Sequence, residues 1–387
     1  MAEAVIIGGG FAGLAAARRL TRARRGIRVT LVDRKPTFDF LPLLPDIAGG
    51  RIPAGAASAP LAGLARRAGF AFRQDAIEGI DAARGRAIGQ VGSYPYDALL
   101  LACGSEPDFY GSRQFREHAA RLHSCGDAER LSAALAEPRL GACLVAGGGY
   151  TGLETATHLR RRFARERRPV RIIVVEAGPA LLGGLPDWMR RYARDNLARL
   201  DIEVRENCRI ADLAPRAVAL SDGSRYEPAM AIWCAGVRAA GLTQRLPAAA
   251  GPRGRIPVSA ALEADGLPGL FAAGDAAAWM GPGGPLRLSV QAARMQGERA
   301  ADNLVRRLRG RPLRAYRPRD PGFVLPMANG RSCGVAAGLR LRGCLPTAAH
   351  YGLCLLYLPG ARRKGALLRA LTMSEPAVSQ TAIREEP

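Results

Sequence analysis

The 387 residues predict an α/β fold in which one parallel-sheet unit is built twice, and three observations carry that prediction. An apolar strand runs into a glycine-rich turn that opens a helix at residues 5–25. The same arrangement returns at residues 142–162. Each copy is followed by a second apolar strand that ends on an acid.

In the first copy Val5-Ile6-Ile7 reads as a buried strand, and Gly8-Gly9-Gly10-Phe11-Ala12-Gly13 fits GxGxxG. Gly8 makes the tight turn, Gly10 lets the backbone approach a pyrophosphate, and Gly13 permits close packing of helix on strand. The helix, expected to reach about Arg25, offers unpaired N–H groups and a positive dipole end to the anion. Ile27–Val32 is the next strand, and Asp33 stands 20 residues beyond Gly13, where a carboxylate accepts hydrogen bonds from ribose hydroxyls.

The second copy has the strand Ala142–Ala146, the turn Gly147-Gly148-Gly149-Tyr150-Thr151-Gly152, and the strand Arg171–Val175 that delivers Glu176. An acid at that strand end prefers a free ribose 2′-hydroxyl to a 2′-phosphate, so NADH is favoured over NADPH. The arginines at 160–162, 165, 167, 168 and 171 argue the other way unless they are a solvated helix face. Two further runs, Ala98–Gly104 and Leu267–Asp275, read as strands ending in small-residue turns. One tightly held and one exchangeable dinucleotide suit an electron carrier that accepts hydride, which points to FAD on the first cradle and NADH on the second.

Composition sets the boundaries of this reading. Hydrophobic residues make up 48% and charged residues 23%, ordinary values for a globular chain that exclude disordered and fibrous classes. The net charge is +22, and all but two of the basic residues (Lys35 and Lys364) are arginine. Such charge admits nucleic acid, an anionic membrane or acidic cofactors without choosing among them. No nucleic-acid module accompanies it, so nucleic acid is not expected as a partner. The eight cysteines form neither CxxC nor CxxxxC, and with only four histidines no metal centre is expected. A scattered set of thiols, with no secretory leader or apolar span of 18 residues, reads as reduced cysteines in the cytoplasm.

Beyond these features the chain resembles the two-dinucleotide flavoprotein superfamily, over roughly residues 1–310. The resemblance rests on the two cradles, Leu101-Ala102-Cys103-Gly104, and Phe271-Ala272-Ala273-Gly274-Asp275. It implies that Gly8, Gly10, Gly13 and Asp33 hold FAD with Gly274 and Asp275, the last at the ribityl chain, and that Gly147, Gly149, Gly152 and Glu176 hold NADH. It also implies two Rossmann-like domains, the NAD(P)H domain inserted in the FAD domain: FAD-binding at 1–108 and 241–312, NAD(P)H-binding at 109–240, and a basic amphipathic segment at 313–387. Cys103 stands where the superfamily usually has threonine.

The absent CxxxxC excludes the disulfide-reductase branch. Phe38–Gly49 (FDFLPLLPDIAG), Ile232–Gly236 (IWCAG) and Thr151–Glu154 (TGLE) resemble type II NADH:quinone oxidoreductases. That likeness places Glu154 near nicotinamide and flavin, with an ordinary first-turn helix acid as the alternative. Ser289–Gly297 (SVQAARMQG) is similar to the helix at that family's quinone pocket, so Gln291 is a candidate for the acceptor side. Met295 replaces a family glutamine there, which leaves either altered quinone bonding or simple core packing, while Gln296 matches the third glutamine. The same helix start could aim its dipole at the flavin pyrimidine.

The implied activity is FAD-dependent oxidation of NADH with a quinone-like acceptor. A sulfide:quinone oxidoreductase (pairing Cys125 or Cys143 with Cys333), a reductase of a small iron–sulfur protein, and a nucleotide-sensing flavoprotein remain as rivals. Seven arginines between Arg306 and Arg319, then Leu353–Leu358 and Arg362-Arg363-Lys364, suit either a peripheral anchor on an anionic membrane or a small closing domain. The location expected is therefore cytoplasmic or peripheral on the inner face of the cell membrane. The oligomeric state, a homodimer included, is left open, as is any redox role of Cys103 and Cys333.

Overall fold

The computed structural model describes residues 1–22, 26–246, 251–281, 284–320 and 322–372. The expected continuation of the first helix to Arg25 and the end of the 313–387 segment lie outside these. Two compact units form, each discontinuous in sequence: Met1–Asp39, Ala59–Glu106 and Val237–Asp320 make the first, and Phe40–Ser58, Pro107–Gly236 and Pro321–Pro387 the second.

The first unit is organised by a parallel sheet in the order Leu270–Ala272, Ala98–Leu101, Ala2–Ile7, Ile27–Asp33, Ala71–Gln74. Ala98–Leu101 is buried at all four residues, which is why it reads as a continuous apolar run rather than an alternating one. Val5, Ile7, Leu99, Leu101, Leu270 and Ala272 share one core with the antiparallel sheet Ile77–Asp81, Arg86–Gly89, Ser93–Pro95 beside it. The chain builds outward from Ala2–Ile7 to one side and then returns to the other. This leaves a topological switch point between Ala2–Ile7 and Ala98–Leu101, where open α/β sheets bind ligands at the carboxyl ends of their strands.

Two helices lie against this sheet. Phe11–Arg22 starts at the cradle, and Val290–Leu308 packs on it so closely that a Cβ on Gly297 would stand 2.1 Å from the Ala12 carbonyl oxygen. Ser289 caps the second helix, its hydroxyl accepting from the Ala292 N–H at 3.1 Å.

The second unit repeats the plan. Its parallel sheet runs Ala120–Arg121, Ala229–Trp233, Ala142–Ala146, Arg171–Val175, Glu203–Arg205. The switch point falls between Ala142–Ala146 and Ala229–Trp233, and the cradle helix is Tyr150–Arg165. Leu144, Ile173, Val218, Ala231 and Trp233 lie in its core. Within this unit the FDFLPLLPDIAG stretch contains a short helix, Leu44–Ala48, packed on the cradle helix. The glycine-rich stretch after Pro321 folds as an antiparallel sheet, Gly322–Leu325, Ser332–Ala336 and Leu339–Gly343, followed by helices Cys344–Tyr357 and Ala361–Thr372. Among the described residues no helix is long and apolar enough to cross a membrane.

Candidate cofactor and redox site

The first cradle has the geometry its glycines imply. Gly8 sits at φ 108°, and a Cβ there would meet the Ala102 carbonyl oxygen at 2.2 Å. A Cβ on Gly13 would lie 1.8 Å from the Gly8 oxygen, so only glycine lets this helix close on the turn. Gly10 is different: no atom stands within 4 Å of its would-be Cβ. That opening is on the loop where a pyrophosphate would approach. Asp33 Oδ2 accepts from the Gly9 N–H at 2.6 Å and Oδ1 from the Lys35 N–H at 2.8 Å. A carboxylate has about four lone-pair sites, so capacity remains for ribose hydroxyls.

The rest of the first unit completes this site. Asp275 accepts a hydrogen bond from the Ser105 hydroxyl at 2.7 Å. The Gly274 N–H donates to Gln296 Oε1 at 2.7 Å, and a Cβ on Gly274 would lie 3.2 Å from that of Ala12. Gln296, buried and matched to the third family glutamine, is thus committed to the backbone of the Gly-Asp turn. An open cleft of about 490 Å³ is lined by Gly274, Asp275, Arg255, Trp279, Ser289 and Gln296, among others. Gln291 does not line it. It lies in the first turn of its helix, half-buried, one turn before the half-buried Met295 on the same face.

The second cradle matches the first nearly atom for atom. Gly147 has φ 104°, its Cβ would meet the Cys234 oxygen at 2.5 Å, and a Cβ on Gly152 would meet the Gly147 oxygen at 1.9 Å. Gly149, like Gly10, has nothing within 4 Å. Glu176 accepts from the Gly148 N–H through Oε2 and from the Gly178 N–H through Oε1, both at 2.7 Å. Several of the arginines that argued for NADPH face other partners: Arg160 pairs with Asp201 (3.3 Å), Arg162 with Glu166 (2.8 Å), and Arg171 with Glu203 (2.6 Å). Arg168 donates to the Leu135 carbonyl at 2.7 Å. The residues present therefore fit two dinucleotides, the second with free ribose hydroxyls.

Two residues beyond Gly152, Glu154 enters a buried polar cluster that residue patterns did not disclose. Asp46, Glu154 and His158 are 0%, 8% and 2% exposed. Asp46 Oδ1 accepts from the Tyr351 hydroxyl at 2.9 Å and faces Arg51 at 3.6 Å, while Arg51 also donates to the Tyr351 oxygen at 2.7 Å. Asp46 Oδ2 and Glu154 Oε1 have no hydrogen-bond partner. Imidazole nitrogens stand near both: His158 Nε2 at 3.9 Å from Asp46 Oδ2, and His350 Nε2 at 3.9 Å from Glu154 Oε1. Burial, followed by the Asp46 charge, holds Glu154 well above the usual carboxyl range. Burial also drives His158 down to about 3 and His350 to about 4. The visible signal was the Glu154–His158 spacing, which puts both side chains on one helix face.

The thiols considered for redox work are held protonated by the same physics. Burial pushes Cys103, Cys143 and Cys234 up to about 12 and Cys333 to about 11. All eight cysteines are free, and Cys143 is fully buried in the central strand of the second sheet.

Comparison with known proteins agrees with this geometry. A family model described as pyridine nucleotide-disulphide oxidoreductase matches residues 2–297. The chain is 33% identical over 345 residues to an NADH dehydrogenase-like protein of Mycobacterium tuberculosis, covering 82% of this chain and 83% of that one. It is 26% identical over 388 residues to the type II NADH:quinone oxidoreductase of Haemophilus influenzae, covering 86% and 87%. Among solved structures, NDH2 from Plasmodium falciparum in complex with NADH superposes with a TM-score of 0.82 at 14% identity over 95% of this chain and 97% of that one. The sulfide:quinone oxidoreductase of Aquifex aeolicus gives 0.81 at 20% identity over 95% and 92%. At such identities the structural likeness speaks for the fold.

Proposed function

The chain belongs to the pyridine nucleotide-disulphide oxidoreductase family, with an NADH dehydrogenase-like protein among its relatives, and on that premise we propose that it passes two electrons from NADH through FAD to a quinone. It is a flavin-dependent oxidoreductase of the NADH dehydrogenase type. The observation that carries the reading is the duplicated cradle, each copy closed at its first and third glycines and open at its second. Bound FAD supplies the hydride-accepting and electron-donating chemistry.

The chain's own residues bind and orient. Gly8, Gly10, Gly13 and Asp33 hold the FAD pyrophosphate and adenosine ribose, with Gly274 and Asp275 toward the ribityl chain. Gly147, Gly149, Gly152 and Glu176 hold NADH and, by the carboxylate at the ribose, select it over NADPH. We assign Glu154 to the reacting end of the nucleotide and Gln291 to the acceptor. The domain assignment follows the same reading: FAD-binding at 1–108 and 241–312, NADH-binding at 109–240. The thiols of Cys143 and Cys333, raised by burial, argue against sulfide oxidation, which needs reactive sulfur in the protein.

The C-terminal helix supports a peripheral place at the inner face of the cell membrane. Leu345, Leu353 and Leu356 are exposed at 66%, 39% and 63% on one side of Cys344–Tyr357, and Arg362, Arg363 and Lys364 follow. Apolar burial plus roughly 1 kcal/mol per basic residue near anionic lipid suits such attachment.

Steady-state oxidation of NADH, NADPH and sulfide with menadione as acceptor tests the activity. NADH oxidation coupled to menadione is the expected outcome. Turnover with sulfide and none with NADH would overturn it. Liposome flotation tests the attachment: Leu353→Glu with Leu356→Glu should release the protein from anionic vesicles, and unchanged binding would reject that surface.

A further inference from the structure

We propose that Asp46, Glu154 and His158 bind one divalent transition-metal ion, of the class that accepts mixed carboxylate and imidazole ligands (Zn²⁺, Mn²⁺ or Fe²⁺). The inference goes beyond the NADH:quinone reading and stands without it. Its first support is proximity: one ligand atom from each of the three buried residues lies within 4.8 Å of the others, and Asp46 Oδ2 to His158 Nε2 is 3.9 Å. Bonds of about 2.1 Å at a tetrahedral angle put ligand atoms roughly 3.4 Å apart, so small side-chain rotations close the site.

The second support is what remains unsatisfied. Asp46 Oδ2 and Glu154 Oε1 are buried oxygens without a hydrogen-bond partner. Protonating either would not satisfy it, because a carboxyl O–H needs an acceptor within about 3 Å. A cation between them serves both oxygens at once. Two carboxylates with one imidazole balance a divalent charge.

The third support is the arrangement behind the ligands. Tyr351 and Arg51 occupy Asp46 Oδ1 and leave Oδ2 turned toward the cluster. Fixing one oxygen of a carboxylate so that the other can bind is how outer partners orient a metal ligand. Glu154 and His158, four residues apart on the cradle helix, form a chelating pair on one face. His350, with its side chain 13% exposed, stands 3.9 Å from Glu154 Oε1. The expectation of no metal rested on missing cysteine–histidine knuckles. It did not weigh carboxylates drawn from separate segments.

The test is metal content of the full-length flavoprotein, purified from cells supplied with zinc, manganese and iron, measured per chain after gel filtration. Wild type should carry about one ion per chain. Asp46→Asn and His158→Gln should lose it while keeping FAD, which certifies their fold, and Tyr351→Phe should weaken metal affinity by about 10–100-fold. Chelation should lower Tm, and restoring the metal should raise it again. Metal well below one ion per chain, equal metal in wild type and both ligand variants, or a Tm indifferent to chelator would each overturn the proposal.

Discussion

The two cradles are close copies that differ in what surrounds them. Both have a first glycine near φ 105° (108° at Gly8, 104° at Gly147), a third glycine pressed on the first, and an acid taking the N–H of the middle glycine at 2.6 or 2.7 Å. The first is continued by the Gly274–Asp275 turn, which Gln296 holds, and by a cleft of about 490 Å³. The second is continued by the buried Asp46, Glu154 and His158 and the half-buried His350. Repetition of the fold therefore supplies two places for a dinucleotide, set in different surroundings.

The sharpest way to break this comparison is to fill each opening in turn. Gly10 and Gly149 have room for a side chain within the protein, so Gly10→Val and Gly149→Val should fold. Gly10→Val should cut bound FAD by roughly tenfold or more, read from the flavin spectrum of the purified protein, since one misplaced contact can cost about 10²-fold. Gly149→Val should keep its FAD and lose kcat/KM for NADH by a similar factor. Loss of FAD in both would mean that the cradles do not divide the work.

Selectivity at the second cradle is the next step down. Glu176→Gln removes a charge-assisted hydrogen bond worth about 1.5–3 kcal/mol, so KM for NADH should rise roughly tenfold or more. The NADPH-to-NADH ratio of kcat/KM should rise with it. A ratio that does not move would place nucleotide choice elsewhere.

In the first unit, Gln296→Leu leaves the buried Gly274 N–H without its acceptor, at a cost of about 1–3 kcal/mol. Thermal melts should show a lower Tm and weaker FAD retention, with NADH affinity unaffected. If NADH affinity fell instead, the turn would not belong to the FAD site alone.

The smallest effect separates stability from chemistry. Asp75 accepts from the Val91 and Gly92 N–H groups and from the Tyr94 hydroxyl, at 3.1, 3.0 and 2.8 Å. Burial alone would raise its pKa, but the hydrogen bonds from Tyr94 and the backbone outweigh it and hold the carboxyl low. A lowered folded pKa means stabilisation present above the unfolded value near 3.9 and lost as pH falls through the folded one. Asp75→Asn should therefore cost about 1 kcal/mol at neutral pH, with the difference from wild type shrinking below about pH 4. An equal gap at both pH values would contradict the ionised role.

The cradles were legible because glycine is written into the sequence wherever a positive φ or a sub-van-der-Waals approach demands it, and Gly8, Gly13, Gly147 and Gly152 all meet that demand. The strand-end acids were legible from their offsets. Gln296 was visible as a family match, yet its bond to Gly274 depends on how a helix 22 residues away returns to the turn. The cluster at Asp46, Glu154, His158 and His350 was not legible as a unit, since three segments far apart in sequence bring it together. Periodicity reports which face a residue takes and cannot report which other face it meets. Only the four-residue spacing of Glu154 and His158 announced half of it.

The division of labour between the cradles is tested most directly by the flavin itself. Purified protein, held under anaerobic conditions, should show oxidised FAD that NADH bleaches rapidly, NADPH bleaches slowly, and menadione restores. Flavin that stays oxidised with NADH, or that is bleached by sulfide in its place, would contradict the account.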